Sequence, residues 1–270
     1  MANDDLHDFE RDTFTFEGKT RDRYRKGSGP AVIVIAEIPG ITPAVAGFAR
    51  RVADIGCTAV MPVLFGEPGR DPRSGIDGVA YTARTTVALC VSREFTAFAA
   101  NSTAPVSAWL RALATDEFER CGGLGVGAVG MCFTGGFALG MLLNDKVTAP
   151  VLSQPSLPIG MTRKAKRGLA LSPGDLAAVK QRVAADDLCV LGVRFTGDRL
   201  SPGDRFARLR EELGDRFIGV EIDSSKGNPF GHRGAAHSVL TEDLKDEPGQ
   251  PTCDALNQVL DFFRDRLIPA

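Results

Sequence analysis

From Cys121 to Asn144 the chain runs through 24 positions without one charged side chain, and eight of them are glycine. A charge-free stretch of that length must be buried, either across a bilayer or inside a protein core. The order of its residues separates the two. Val126 to Val129 is a short β-prone run, Gly130-Met-Cys-Phe-Thr-Gly-Gly136 is a turn of mostly small residues, and Phe137 to Leu143 is an apolar helical segment. This reads as buried strand, tight turn and buried helix, not as a single membrane-spanning helix. A strand and a helix that are both buried need covering layers, which the rest of the chain must supply.

Ala31-Val-Ile-Val-Ile-Ala36 is a continuous apolar run, the mark of a strand covered on both faces. Thr58 to Pro62, Thr148 to Leu152, Leu188 to Phe195 and residues 216–222 read as further strands. Helical patterns fall between them: Pro43 to Ile55, residues 76–99, residues 104–117 with Ser102-Thr103 as candidate caps, residues 135–143, a helix from Pro173 behind Ser172, and residues 203–213 and 253–267. Phe9 to Phe16 and Thr20 to Tyr24 alternate apolar and polar residues around Glu17-Gly18-Lys19, as a hairpin would. The alternation predicts an α/β fold, a doubly wound and mostly parallel sheet flanked by helices with an antiparallel start. No repeat or linker divides the 270 residues. They read as one domain, with residues 1–28 as an arm of edge strands and residues 155–187 as a candidate lid or insertion.

Lys and Arg number 32 against 34 Asp and Glu, and no block of like charge stands out. That argues against nucleic acid or an anionic membrane as partner and leaves a small molecule. The start, Met1-Ala-Asn-Asp-Asp-Leu-His, lacks the basic end and apolar core of a signal peptide, so a cytoplasmic protein is expected, and a monomer. Cysteines at 57, 90, 121, 132, 189 and 253 show no CxxC spacing, and none of the three histidines sits in an HExxH. Neither disulfides, nor a metal, nor a cofactor is expected.

Gly125-Val-Gly-Ala-Val-Gly130 matches GxGxxG, but a dinucleotide fingerprint needs a strand before its first glycine. Here residues 113–120 look helical and charged, and the β-prone residues lie inside the pattern. The better reading centres on Gly130-Met-Cys132-Phe-Thr134, the layout of a nucleophile elbow, in which small residues two before and two after the nucleophile make room for a strained turn. Thr134 departs from the usual Gly, Ala or Ser, and a β-branched residue there calls for a slightly more open turn. A core cysteine in a glycine-rich turn is the plain alternative.

At these residues the sequence resembles the dienelactone hydrolase family, α/β-hydrolases with a Cys-His-Asp triad, from about residue 30 to the C-terminus. The resemblance rests on Val32-Ile-Val-Ile-Ala-Glu37-Ile-Pro-Gly40, on the elbow with Gly135-Gly136, on Phe195-Thr-Gly-Asp198-Arg-Leu-Ser-Pro202, and on His237-Ser238 before an apolar pair. It implies Cys132 as nucleophile, Asp198 as acid and His237 as base, in the nucleophile, acid, histidine order of α/β-hydrolases. It further implies Glu37 as a carboxylate that contacts the resting thiol, and the N–H groups of Ile38 and Phe133 as oxyanion donors. Asp204 is the alternative acid and His232 the alternative histidine, expected to be the more exposed of the two and suited to substrate contact.

Departures leave the substrate open. The family's arginine just after the histidine is missing, since His237 is followed by Ser-Val-Leu-Thr-Glu, and Arg84 and Arg199 are the candidate replacements. The expected activity is cleavage of an ester or lactone, with a thioesterase or general carboxylesterase as one alternative. A non-catalytic binding or redox-sensing protein is the other.

Overall fold

A computed structural model of the chain describes residues 2–73, 75–92, 94–95, 102–157 and 163–269. The strands are β1 (Glu10–Phe16), β2 (Lys19–Gly27), β3 (Ala31–Ile35), β4 (Thr58–Pro62), β5 (Val126–Met131), β6 (Val147–Ser153), β7 (Val190–Phe195) and β8 (Phe217–Ile222). The helices are α1 (Pro43–Asp54), α2 (Gly75–Val91), α3 (Val106–Cys121), α4 (Gly135–Met141), the single turn α5 (Arg163–Lys166), α6 (Pro173–Ala185), α7 (Gly203–Leu213) and α8 (Pro251–Leu267). The eight strands form one sheet in the order β1-β2-β4-β3-β5-β6-β7-β8. β1 and β2 pair antiparallel, β2 meets β4 antiparallel, and every pair from β4 to β8 is parallel. This is the mostly parallel, helix-flanked sheet with an antiparallel start that the alternating pattern predicts, and it matches the α/β-hydrolase fold that the resemblance implies.

Every residue of β3 and β5 is buried. Side chains alternate between faces along a strand, and both faces are covered, which is why the sequence runs apolar without alternating. Ile33 and Ile35 belong to the core layer that includes residues of α3, α4, α6 and α7, while Val32 and Val34 belong to the layer that includes residues of α1 and α8. The uncharged stretch from Cys121 therefore becomes the end of α3, β5 and α4 in the middle of the sandwich. Among the described residues no helix is long and apolar enough to cross a membrane.

Two local expectations are corrected. Ser102-Thr103 does not cap α3, which starts behind Pro105 without a side-chain cap. The Thr103 hydroxyl instead donates to Asp175 and accepts from the Ser172 N–H, pinning the start of α6, whose own cap is Ser172. The helix expected over residues 76–99 ends at Val91, and residues 96–101 lie outside those described. Within residues 155–187, α6 is the crossover between β6 and β7, with Val179 and Val183 buried, and residues 158–162 are not described.

The N-terminal hairpin is fastened to the sandwich by charge. Glu117 of α3 is fully buried, with Arg23 Nη1 at 2.9 Å and Arg25 Nε donating at 3.2 Å. Burial raises the Glu117 carboxyl above its ordinary value, and the two arginines work against that rise. Removing this carboxylate leaves two buried guanidinium groups short of a counter-charge. Glu117→Ala should cost about 3 kcal/mol of stability, read as a lower urea midpoint at neutral pH.

Candidate active site

The carboxyl ends of the parallel strands converge on Cys132. This residue follows β5 and has φ +55°, a left-handed conformation that strains a side chain bearing a Cβ. The glycines around it permit the turn: a Cβ on Gly130 would lie 2.2 Å from the Thr134 carbonyl oxygen, and one on Gly135 would lie 2.6 Å from Pro155 Cβ. The turn is therefore tight, not opened as Thr134 led one to expect. The Thr134 hydroxyl accounts for this, accepting from the Met131 N–H at 2.9 Å with the carbonyl oxygens of Ile35 and Met131 each 2.9 Å away for its own proton. Through that group the elbow is tied to β3.

Asp198 sits in the loop after β7, buried, with Oδ1 accepting from the Leu200 N–H at 2.9 Å and Oδ2 2.6 Å from His237 Nδ1. Nδ1 is thus committed to the carboxylate. The other ring nitrogen, Nε2, is buried and, among the described residues, makes no hydrogen bond of regular geometry, while the Cys132 sulfur interacts with the ring. Cys132 Sγ, a Glu37 carboxylate oxygen and a His237 ring nitrogen all lie within 4.8 Å of one another. Burial opposes a charged imidazole here, but negative charge at Cys132 and the hydrogen bond to Asp198 outweigh it and push His237 up to about 11. These donors are of the types that a thiophilic cation takes, and equally those of a nucleophile with its base.

Glu37 is buried, and its hydrogen bonds run elsewhere than to the sulfur. It accepts from Ser238 Oγ at 2.7 Å, from Gln154 Nε2 at 3.3 Å and from Thr241 Oγ1. The sulfur's own hydrogen-bonding contact is Ser156 Oγ at 3.0 Å. Ile38, three residues past the end of β3, is partly buried against the core, and Phe133, next after Cys132 in the elbow, is buried.

Asp204 is exposed in the first turn of α7, away from both histidines' hydrogen bonds. His232 is corrected from exposed to buried. Its ring lies 5.1 Å from that of Phe195, and Asn228 closes the loop on it by accepting from its N–H at 3.0 Å and donating to its carbonyl at 2.8 Å. Burial pulls its pKa below the ordinary value, helped by Lys245. Arg84 projects from α2 into a cleft of about 440 Å³ lined by Phe65, Tyr81 and Phe95, and Arg199 is exposed beside Asp198. Among the described residues neither makes a hydrogen bond or ion pair with Cys132, His237 or Asp198.

Sequence reasoning missed the residues that hold the parts together. Arg205, in α7, is buried with no carboxylate partner among the described residues. It donates to the carbonyl oxygens of Pro155 (2.6 Å), Gly168 (2.7 Å), Ala165 (3.0 Å) and Leu200 (3.2 Å). Burial lowers its pKa to about 10 against the attraction of Asp198 and Cys132. Its signal was an arginine on the apolar stripe Arg205, Phe206, Leu209, Leu213. Asp243 accepts from the N–H groups of His237 (2.8 Å) and Ser238 (3.1 Å), which fixes the histidine's backbone. Gln154, at φ +34°, offers Oε1 to the Val239 N–H at 3.2 Å.

The dienelactone hydrolase family model matches residues 20–267. Among solved structures the chain is similar to a dienelactone hydrolase-like promiscuous phosphotriesterase from metagenomic libraries, with TM-score 0.60 and 16% identity over 96% of this chain and 98% of that one. A candidate dienelactone hydrolase from Klebsiella pneumoniae subsp. pneumoniae MGH 78578 gives TM-score 0.59 and 16% identity over 94% and 97%. The thioesterase domain from the curacin biosynthetic pathway gives 0.54 and 11% over 94% and 99%. At these identities the likeness is one of fold. No curated protein matches the sequence.

Protonation of His237 is favoured by folding, since its pKa is raised from 6.5 to about 11. The stabilisation it brings is full below pH 6.5 and is lost as the pH rises towards 11. In urea titrations, the stability advantage of the wild type over His237→Ala should shrink steadily across that interval. An advantage that grew with pH would contradict the charge arrangement.

Proposed function

The chain belongs to the dienelactone hydrolase family, and from that premise we propose that it cleaves an ester or lactone with Cys132 as nucleophile, His237 as proton carrier and Asp198 as the residue that orients His237. One observation carries the reading. A cysteine at φ +55° has its sulfur within 4.8 Å of a histidine ring nitrogen, and Nδ1 of that ring is 2.6 Å from a buried aspartate. A core cysteine has no need of strained backbone, nor of an imidazole held in one tautomer by a carboxylate.

The Cys132 thiolate attacks the carbonyl carbon, and the C=O electron pair moves to oxygen. The N–H groups of Phe133 and Ile38 are the donors for that oxyanion. Collapse of the tetrahedral species expels the alkoxide, which takes the proton from His237 Nε2 and leaves an acyl-thiol. A water molecule then gives its proton to His237 and attacks the acyl carbon, releasing the carboxylic acid and restoring the thiolate and imidazolium. Asp198 stays ionised throughout and stabilises the imidazolium. The Glu37 carboxylate, fixed by three donors, adds negative charge near the same ring.

The test is a panel of p-nitrophenyl acetate, lactones and thioesters run on the wild type and three variants. Cys132→Ala should lose at least about a thousandfold in kcat/KM on the best substrate. His237→Ala should slow acylation, and Asp198→Asn should sharply lower turnover while Asp204→Asn leaves it intact. Stoichiometric acylation of Cys132 without turnover on any substrate, or full activity in Cys132→Ala, would overturn the reading.

A further inference from the structure

We infer that Ser156 is a catalytic residue of this site: its hydroxyl donates a hydrogen bond to the Cys132 thiolate and, in place of Glu37, holds the resting sulfur. The inference rests on the reading of Cys132 as nucleophile.

Three observations lead to it. The first is the contact itself, Oγ to Sγ at 3.0 Å, a short separation for sulfur and one suited to a charge-assisted hydrogen bond. The second is the alignment. The Ser156 N–H donates to the Cys132 carbonyl at 2.9 Å, so the serine grips the nucleophile by backbone and side chain together. The preceding carbonyl, of Pro155, is held by Arg205 at 2.6 Å, and Pro155 packs against the space left by the missing side chain of Gly135. A serine so placed has little freedom to turn elsewhere, and it is itself buried.

The third is the alternative occupant. Glu37 is near enough to reach the sulfur, yet its oxygens are engaged by Gln154, Ser238 and Thr241. A carboxylate facing a thiolate would repel it, whereas a hydroxyl can donate to it. A hydroxyl 3.0 Å from the sulfur can donate to a thiolate, and on the reading of Cys132 as nucleophile the serine proton is the one in that contact. When the sulfur becomes acylated it loses that charge, so the serine bond is strong in the resting enzyme and weak in the acyl-thiol. Ser156 therefore keeps the thiolate populated and tempers its reactivity.

The experiment follows the pH profile of Cys132 alkylation by iodoacetamide, located by peptide mass mapping, in the wild type, Ser156→Ala, Ser156→Gly and Ser156→Thr. Both variants that lack the hydroxyl keep the backbone N–H to Cys132, so one remains usable if the other folds poorly. Loss of a hydrogen bond to a charged acceptor should move the profile about one pH unit higher, with Ser156→Thr returning it towards the wild type. A serine that merely fills space would leave the profile where it is, and that result overturns the inference. Alkylation reports on the sulfur whether or not an ester is turned over. Failure of the function reading, seen as activity surviving in Cys132→Ala, is thus distinguishable from failure of this one.

Discussion

A left-handed backbone at a residue with a Cβ costs on the order of 1–3 kcal/mol, and at Cys132 it is held in place from three sides. Below, the Thr134 hydroxyl binds the turn to the end of β3. Beside it, Ser156 binds the cysteine's carbonyl. Behind it, the absence of side chains at Gly130 and Gly135 allows the strand and helix to meet at so short a distance. The strain has a use, because it turns a side chain that would lie in the core towards the strand ends, where histidine and aspartate can reach it. The parallel sheet is what brings those three loops to one edge.

The second principle of the site is that charge is balanced through intermediaries. Asp198, Glu37 and Asp243 are all carboxylates near His237, yet each is occupied differently: one by the ring, one by two hydroxyls and an amide, one by backbone N–H groups. Spreading the acids over distinct donors keeps them from competing for the imidazole. It also makes the histidine loop rigid, since residues 237, 238, 239 and 241 each form a hydrogen bond with one of these groups or with Gln154.

Sequence made the sheet legible wherever burial on both faces wrote an unbroken apolar run, as in β3 and β5. It also marked the elbow, because a tight strand-to-helix turn demands small residues at fixed offsets. What it could not mark are contacts between side chains far apart in the chain. The cap expected at Thr103 failed because its hydroxyl was taken by Asp175, 72 residues on. The exposure expected of His232 failed because local turn residues say nothing of Phe195, against which the ring packs. Ser156 and Arg205 look like a loop serine and a helix arginine, and their importance comes only from which carbonyls and which sulfur the fold sets beside them.

Arg205 has a consequence for how the protein is made. The four carbonyls that it gathers come from residues 155 to 200, and His237 emerges from the ribosome 32 residues after it. While β5 and α4 can form as soon as their own neighbours exist, the segment that grips Cys132 has no anchor until α7 has been synthesised. A nascent chain thus carries its cysteine for 73 further residues before Arg205 is made and for 105 before His237 is, and only the last quarter of the polypeptide completes the site. An N-terminal fragment that stops before β7 holds the nucleophile and its turn but not Asp198, Arg205 or His237.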